Sequence, residues 1–268
     1  METTITLMNI LDKITQGKYK EVLDRKVIVS AMELEKSEFF GKKTISLKDA
    51  LQNAGTKHGI IAEFKRKSPS KGVFNEGFTP VEITTGYVKA GASALSVLTD
   101  GPYFGGSKED LIAVRNAVNV PLLRKDFMVD EYQILEAKAW GADVILLIAA
   151  AIDSVLLNRL AKFAKSIGLE TLLEIHETEE LNGNLSEYID VVGVNNRNLK
   201  DFTVDLDRSV KAAELIPSSI TKISESGISN PETISYLKNY GYKGFLMGEA
   251  FMQTPEPIQA IQNFISRI

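Results

Sequence analysis

Residues 59–72 read Gly-Ile-Ile-Ala-Glu-Phe-Lys-Arg-Lys-Ser-Pro-Ser-Lys-Gly. Ile60, Ile61, Ala62 and Phe64 form a short apolar run of the kind that makes a buried strand, and Pro69 and Gly72 then mark a loop. Strand side chains alternate between faces, so Glu63 and Lys65 point the same way, with Lys67 and Ser68 close behind. A carboxylate and an ammonium at the end of a buried strand are costly unless they are paired. They read either as a structural ion pair or as an active-site edge holding an acid, a base and a phosphate anchor.

Working outward, the same unit repeats. β-rich runs fall at 60–64, 94–98, 121–125, 144–148, 171–175, 191–195, 221–225 and 244–248. Helical character follows each, at 80–90, 107–117, 130–140, 153–167, 177–183, 205–215, 230–240 and 256–267. Thr79 before Pro80, Asp153, and Asn230 before Pro231 are helix starts; Gly91, Gly141, Gly168 and Gly241 are helix stops. Strands alternating with helices imply parallel pairing through right-handed crossovers, and eight such units close naturally into a barrel. The expected fold is α/β, a (β/α)8 TIM barrel. Residues 1–268 are expected to form one domain, of which about 1–55 is an N-terminal helical extension. In that extension Leu7, Ile10, Leu11 and Ile14, then Val22, Leu23, Val27 and Ile28, predict helix over 5–40 with a break near Gly17. A further short helix is expected at 46–53. Such a preamble suits a lid, an oligomerisation arm or a plug for the sheet.

Composition sets the bounds. The 268 residues are 44% hydrophobic, enough for one sizeable core, and the net charge of −4 points to neither nucleic acid nor an anionic membrane. With no cysteine there is no disulfide, thiolate metal site or cysteine nucleophile, which suits a reducing cytoplasm. His58 and His176 are far apart in the chain, which argues against a histidine-rich metal centre. The Met-Glu-Thr-Thr start has no signal-peptide pattern, and the longest apolar run, 144–152, is far short of a membrane span. A cytoplasmic protein is expected, monomeric or with an oligomer left open, acting on a small molecule.

In such a barrel the chemistry lies at the carboxyl ends of the strands. Those ends carry Glu63 with Lys65, Lys125 with Asp126, Glu174, Asn195 with Arg197, Glu225 with Ser226, and Gly248 with Glu249. Lys125 reads as a snorkelling strand-end lysine or as a general acid whose pKa neighbouring cations lower. Glu174, within Leu-Leu-Glu-Ile-His, is expected to be paired or raised in pKa; His176 reads as a loop or core histidine. Asn195 offers hydrogen bonds and Arg197 a bidentate carboxylate grip, unless the asparagines merely make turns. Gly227 and Gly248 follow the seventh and eighth strands, the usual phosphate site of these barrels. Tyr103, Phe104 and Phe127 either cap the core or sandwich a planar substrate, and Trp140 reads as packing.

Taken together, Glu-Phe-Lys-Arg-Lys-Ser-Pro-Ser, Leu-Arg-Lys-Asp-Phe, Leu-Leu-Glu-Ile-His, Gly-Val-Asn-Asn-Arg-Asn-Leu, Ser-Glu-Ser-Gly-Ile and Met-Gly-Glu-Ala-Phe resemble indole-3-glycerol phosphate synthase, in collinear order. Leu-Thr-Asp with Tyr-Phe-Gly-Gly-Ser, and Ile10 to Ile14, extend the likeness nearly end to end. The resemblance implies a step of tryptophan biosynthesis: 1-(2-carboxyphenylamino)-1-deoxyribulose 5-phosphate closes to indole-3-glycerol phosphate, carbon dioxide and water, with no metal or organic cofactor. It assigns catalysis to Glu63, Lys65, Lys125, Glu174, Asn195 and Ser226. It assigns phosphate contacts to Lys67, Ser68, Gly227, Gly248 and Glu249, the last two through backbone groups. Phe104 and Phe127 would flank the anthranilate ring, with Arg197 and Glu225 in support. Glu249 stands where many members carry serine. No fused isomerase domain is expected. A lysine Schiff-base aldolase and a non-catalytic sugar-phosphate barrel are the competing readings.

Overall fold

The computed structural model describes residues 10–69, 71–74, 77–198 and 202–268. Eight strands form: β1 (Ile60–Phe64), β2 (Ala94–Leu98), β3 (Leu122–Lys125), β4 (Val144–Ile148), β5 (Glu170–Ile175), β6 (Val191–Asn195), β7 (Thr221–Glu225) and β8 (Tyr242–Met247). Most are largely apolar, and all are almost wholly buried, so each needs cover inside and outside. Parallel pairing supplies it by closing the sheet, with each strand bonded to its sequence neighbours and β1 to both β2 and β8.

The helices are α1 (Ile10–Ile28), α2 (Ala31–Glu35), α3 (Leu47–Gln52), α4 (Pro80–Ala90), α5 (Gly101–Phe104) and α6 (Lys108–Ala117). They continue with α7 (Glu131–Ala139), α8 (Ser154–Ser166), α9 (Asp207–Ala213), α10 (Pro231–Lys238), α11 (Glu249–Met252) and α12 (Pro257–Ile265). The expected caps form: Thr79, Asp153 and Asn230 accept from backbone N–H groups of α4, α8 and α10. Gly91, Gly141, Gly168 and Gly241 all turn at positive φ.

The extension contributes both a roof and a plug. At the amino end of the barrel, Leu47 and Leu51 of α3 join the inward cluster of Ile61, Leu123, Val144, Leu172, Val191 and Ile223. α3 is held there because Glu170, the first residue of β5, accepts from the N–H groups of Leu47 (2.7 Å) and Lys48 (3.1 Å) at its positive end. At the carboxyl end α1 lies over the loops after β2 and β3. Its Lys18, 2% exposed, reaches Asp100 at 3.0 Å and Asp126 at 2.9 Å. Arg124, fully buried, continues the network to Asp126 (3.0 Å) and Glu136 (3.3 Å) and lies 4.2 Å from the centre of the Trp140 ring.

Four expectations differ from the structure. α1 runs unbroken through Gly17, because one exposed glycine costs only ~1 kcal/mol and burial of Leu11, Ile14 and Val22 outweighs it. Leu23, Val27 and Ile28 are exposed, not part of a core stripe. Residues 177–183 make only a 3-10 turn, Thr178–Leu181. β8 begins two residues early because a register shift between Tyr242 and Gly244 absorbs Lys243. Residues 5–9 of the expected first helix lie outside the described residues.

Candidate active site

The carboxyl ends of the strands surround a cavity of about 600 Å³, within the range of small-molecule sites. On β1, Glu63 accepts from Ser96 (3.2 Å) and pairs with Lys65 at 3.1 Å, so the two expected same-face residues do meet. On β3, Lys125 points inward while its neighbour Arg124 points outward, as strand alternation demands. The Lys125 ammonium stands 2.5 Å from Glu174 on β5 and 3.4 Å from Glu225 on β7. Asn195 on β6 donates to the other Glu174 oxygen at 3.0 Å, and its own carbonyl oxygen accepts from the N–H of Arg197.

The electrostatics of this cluster follow from its count. Glu63, Glu174 and Glu225 face two ammonium groups, Lys65 and Lys125, with little solvent to screen them. The surplus falls on Glu225: burial, then the Glu174 and Glu63 charges, push its carboxyl up to about 8. Glu174 is held low, to about 2, because Lys125 and His176 overcome the opposing effect of burial. The expectation for Lys125 is reversed. Burial alone would depress it, but Glu174, Glu225 and Glu63 raise it above the ordinary lysine range. Its neighbours are carboxylates, not cations. Glu174 is accordingly the paired carboxylate and Glu225 the raised one.

Two glycines make room for this cluster. A Cβ on Gly193 of β6 would lie 2.1 Å from a Glu225 oxygen, and one on Gly248 would lie 2.8 Å from the Glu63 Cβ and 3.0 Å from its Oε1. Gly248 thus leaves room for the Glu63 side chain. Ser226, next to Gly227, adopts a left-handed φ of 67°, a conformation costing about 1–3 kcal/mol in a non-glycine residue and concentrated at functional sites.

Ser68, Lys71, Gly227, Ser229, Gly248 and Glu249 also line the cavity. Lys67 is not brought to it. Lys67–Ser68 pairs antiparallel with Gly72–Val73, and the alternation that turns Ser68 inward sends the Lys67 ammonium to the Pro102 carbonyl at 2.8 Å. Lys71, in the same Ser-Pro-Ser-Lys-Gly run, lines the cavity instead; its place in the motif was the available signal. Phe104 and Phe127 stand together on one wall, ring centres 6.0 Å apart, whereas Tyr103 is not a lining residue. Ile10, Leu11 and Ile14 of α1 close the mouth. Arg197 is engaged by the Glu249 carboxylate at 2.9 Å. The two asparagines part company, and neither takes the positive-φ geometry of the turn reading. Asn195 faces the cavity, while fully buried Asn196 ties β6 to Ser224 and to the Glu225 and Ser226 carbonyls. His176 proves buried yet cavity-lining, 3.4 Å from Glu174.

A closed parallel barrel whose cavity is lined by clamped acid–amine groups defines a barrel enzyme of acid–base chemistry. A sequence profile of the indole-3-glycerol phosphate synthase family matches residues 11–264. The chain is 46% identical over 262 residues to the indole-3-glycerol phosphate synthase of Bacteroides thetaiotaomicron, covering 98% of this chain and 100% of the relative. Relatives of that name from Campylobacter jejuni subsp. doylei and Carboxydothermus hydrogenoformans are each 42% identical, covering 94% of this chain and 98% of theirs. Solved structures share the fold at low identity: "Native KDPGal structure" superposes with TM-score 0.55 at 13% identity, over 77% of this chain and 90% of that one. A cube-shaped, highly porous protein cage designed by fusing symmetric oligomeric domains gives 0.57 at 12%, over 78% and 69%. The chain belongs to the indole-3-glycerol phosphate synthase family.

Proposed function

We propose that the chain closes 1-(2-carboxyphenylamino)-1-deoxyribulose 5-phosphate to indole-3-glycerol phosphate, releasing carbon dioxide and water. The observation that carries the residue roles is the Lys125 ammonium fixed between Glu174 and Glu225 in the cavity. Lys125 donates a proton to the C2′ oxygen as the ring carbon attacks. It needs no lowered pKa for this, because the alkoxide it protonates is a stronger base than an amine. Carbon dioxide then leaves and the ring regains aromaticity. Glu174 and Lys65 serve the dehydration as acid and base, Glu63 orients Lys65, and Asn195 and Ser226 hold the reacting sugar carbons. Phe104 and Phe127 flank the anthranilate ring and keep water out. Arg197 receives the substrate carboxylate in exchange for Glu249.

The phosphate is received by Ser68, Gly227 and the backbone of Gly248 and Glu249, with Lys71 as an added cation. Lys67 joins them by releasing Pro102. The chain is read as one barrel domain with residues 1–55 as its extension, and as a cytoplasmic monomer. In support, no helix among the described residues is long and apolar enough to cross a membrane. The aldolase reading is disfavoured by the same clamp, since a lysine kept charged by carboxylates is a poor amine nucleophile. The test is incubation with the carboxyphenylamino ketose phosphate while following indole fluorescence. Lys125→Ala should cut turnover by ~100-fold or more with the fold retained; near-normal turnover removes Lys125 from the acid role. Borohydride trapping of a ketose phosphate on the protein would support the aldolase instead.

A further inference from the structure

His176 stands two residues beyond Glu174 and so follows it into the barrel mouth. Its backbone is fixed on both sides: its N–H donates to Glu180 at 2.7 Å and its carbonyl accepts from Arg208 at 2.7 Å. The residue is 7% exposed, yet neither ring nitrogen has a hydrogen-bond partner among the described residues. Buried polar groups are rarely left so, and an imidazole offers a donor and an acceptor that this packing does not use. Nε2 lies 3.4 Å from Glu174 Oε1, the oxygen that also accepts from Asn195, while Lys125 holds Oε2. The charged groups around it are Glu174 in front, with Lys125 and Glu225 beyond it on β3 and β7. Glu180, Arg208 and Glu177 lie behind, at the loop backbone.

The reaction balance gives this ring a task. The C2′ carbonyl oxygen departs as water and takes two protons; the neighbouring C1′–H returns one; the carboxylate leaves as carbon dioxide and returns none. One proton per turnover must therefore enter a buried site from solvent. We propose that His176 is the group through which Glu174 recovers that proton, and that it positions the Glu174 carboxylate as it does so. Once Lys125 has given its proton to the C2′ oxygen, the ammonium that kept Glu174 ionised is gone, and the His176 Nε2–H bond breaks as a Glu174 O–H forms. Glu174 passes that proton to the departing hydroxyl as the C–O bond breaks, and the imidazole takes a proton from solvent at the cavity mouth. This rests on the cyclase reading, with Glu174 as the dehydration acid.

The chain has only two histidines, so ring-labelled NMR resolves both, with His58→Gln giving the assignment. Glu174→Gln should shift the His176 ring resonances and leave those of His58 in place, since Nε2 stands 3.4 Å from Glu174 Oε1. Unshifted His176 resonances overturn the coupling. His176→Asn and His176→Phe should lower kcat about tenfold or more, increasingly so as pH rises, while KM stays nearly constant. A kcat–pH profile superimposable on that of the unmodified enzyme overturns the proposal. If these variants fail to fold, the NMR comparison decides. Near-normal turnover of Glu174→Gln would instead remove Glu174 from the dehydration-acid role on which this rests, a separate outcome.

Discussion

Glu225 and Gly248 show how much of this site rests on single residues. Glu225 is protonated at neutral pH because its pKa is pushed up to about 8. As pH rises through that value, a third full negative charge appears beside Lys125 and strengthens its grip on its proton. Turnover should fall with an inflection near pH 8, and Glu225→Gln should abolish that inflection in a kcat–pH profile. At Gly248 an added methyl would meet Glu63 at 2.8 Å. Gly248→Ala should therefore displace the Glu63–Lys65 pair and lower kcat by ~100-fold, with the circular dichroism spectrum unchanged. An equal loss of secondary structure would show that the glycine serves folding instead. The residue types at these positions were legible in the sequence, and most of them do meet. Their charge states were not, because they depend on which strand faces which across the barrel.

Among the elements, α1 depends most on tertiary contact. Its Lys18 bridges Asp100 and Asp126, both essentially unexposed, and Asp126 is held well below the carboxylate range: burial would raise it, but Lys18 and Arg124 prevail. Lys18→Met leaves those acids without that partner and should cost about 3–5 kcal/mol, read as a lower urea midpoint. Turnover should fall with it, because Ile10, Leu11 and Ile14 on the same helix roof the cavity. The Leu, Ile and Val spacing revealed that a helix was there. It did not reveal which end of the barrel the helix covers, since a lysine in a helical stretch ordinarily points to solvent.

For the whole molecule, the shifted groups set the stability–pH curve. Glu174 and Asp126 are depressed in the folded state. Their contribution is present above their ordinary values of 4.5 and 3.8 and is lost as pH falls below them. Glu225 is raised, so stability declines as pH climbs from its ordinary 4.5 to about 8. Lys18 and Lys125 are raised as well, and their contribution persists up to 10.5 and is lost above it. Urea midpoints measured from pH 3 to 11 should fall at both ends, with Glu225→Gln flattening the decline between about 5 and 8. A flat curve through the alkaline side would contradict the clustered carboxylates.

The order of strands and helices, the caps and stops, and the polar residues at the strand ends were all determined by the sequence. They are local matters of periodicity, backbone freedom and turn chemistry, which neighbours along the chain decide. Only the closed barrel decided that Lys125 meets Glu174 and Glu225, that Lys67 turns to Pro102 while Lys71 faces the cavity, that Lys18 is buried, and that the His176 ring stands beside Glu174. Charge and exposure belong to three-dimensional neighbours, and no spacing along one chain encodes the dielectric around a side chain.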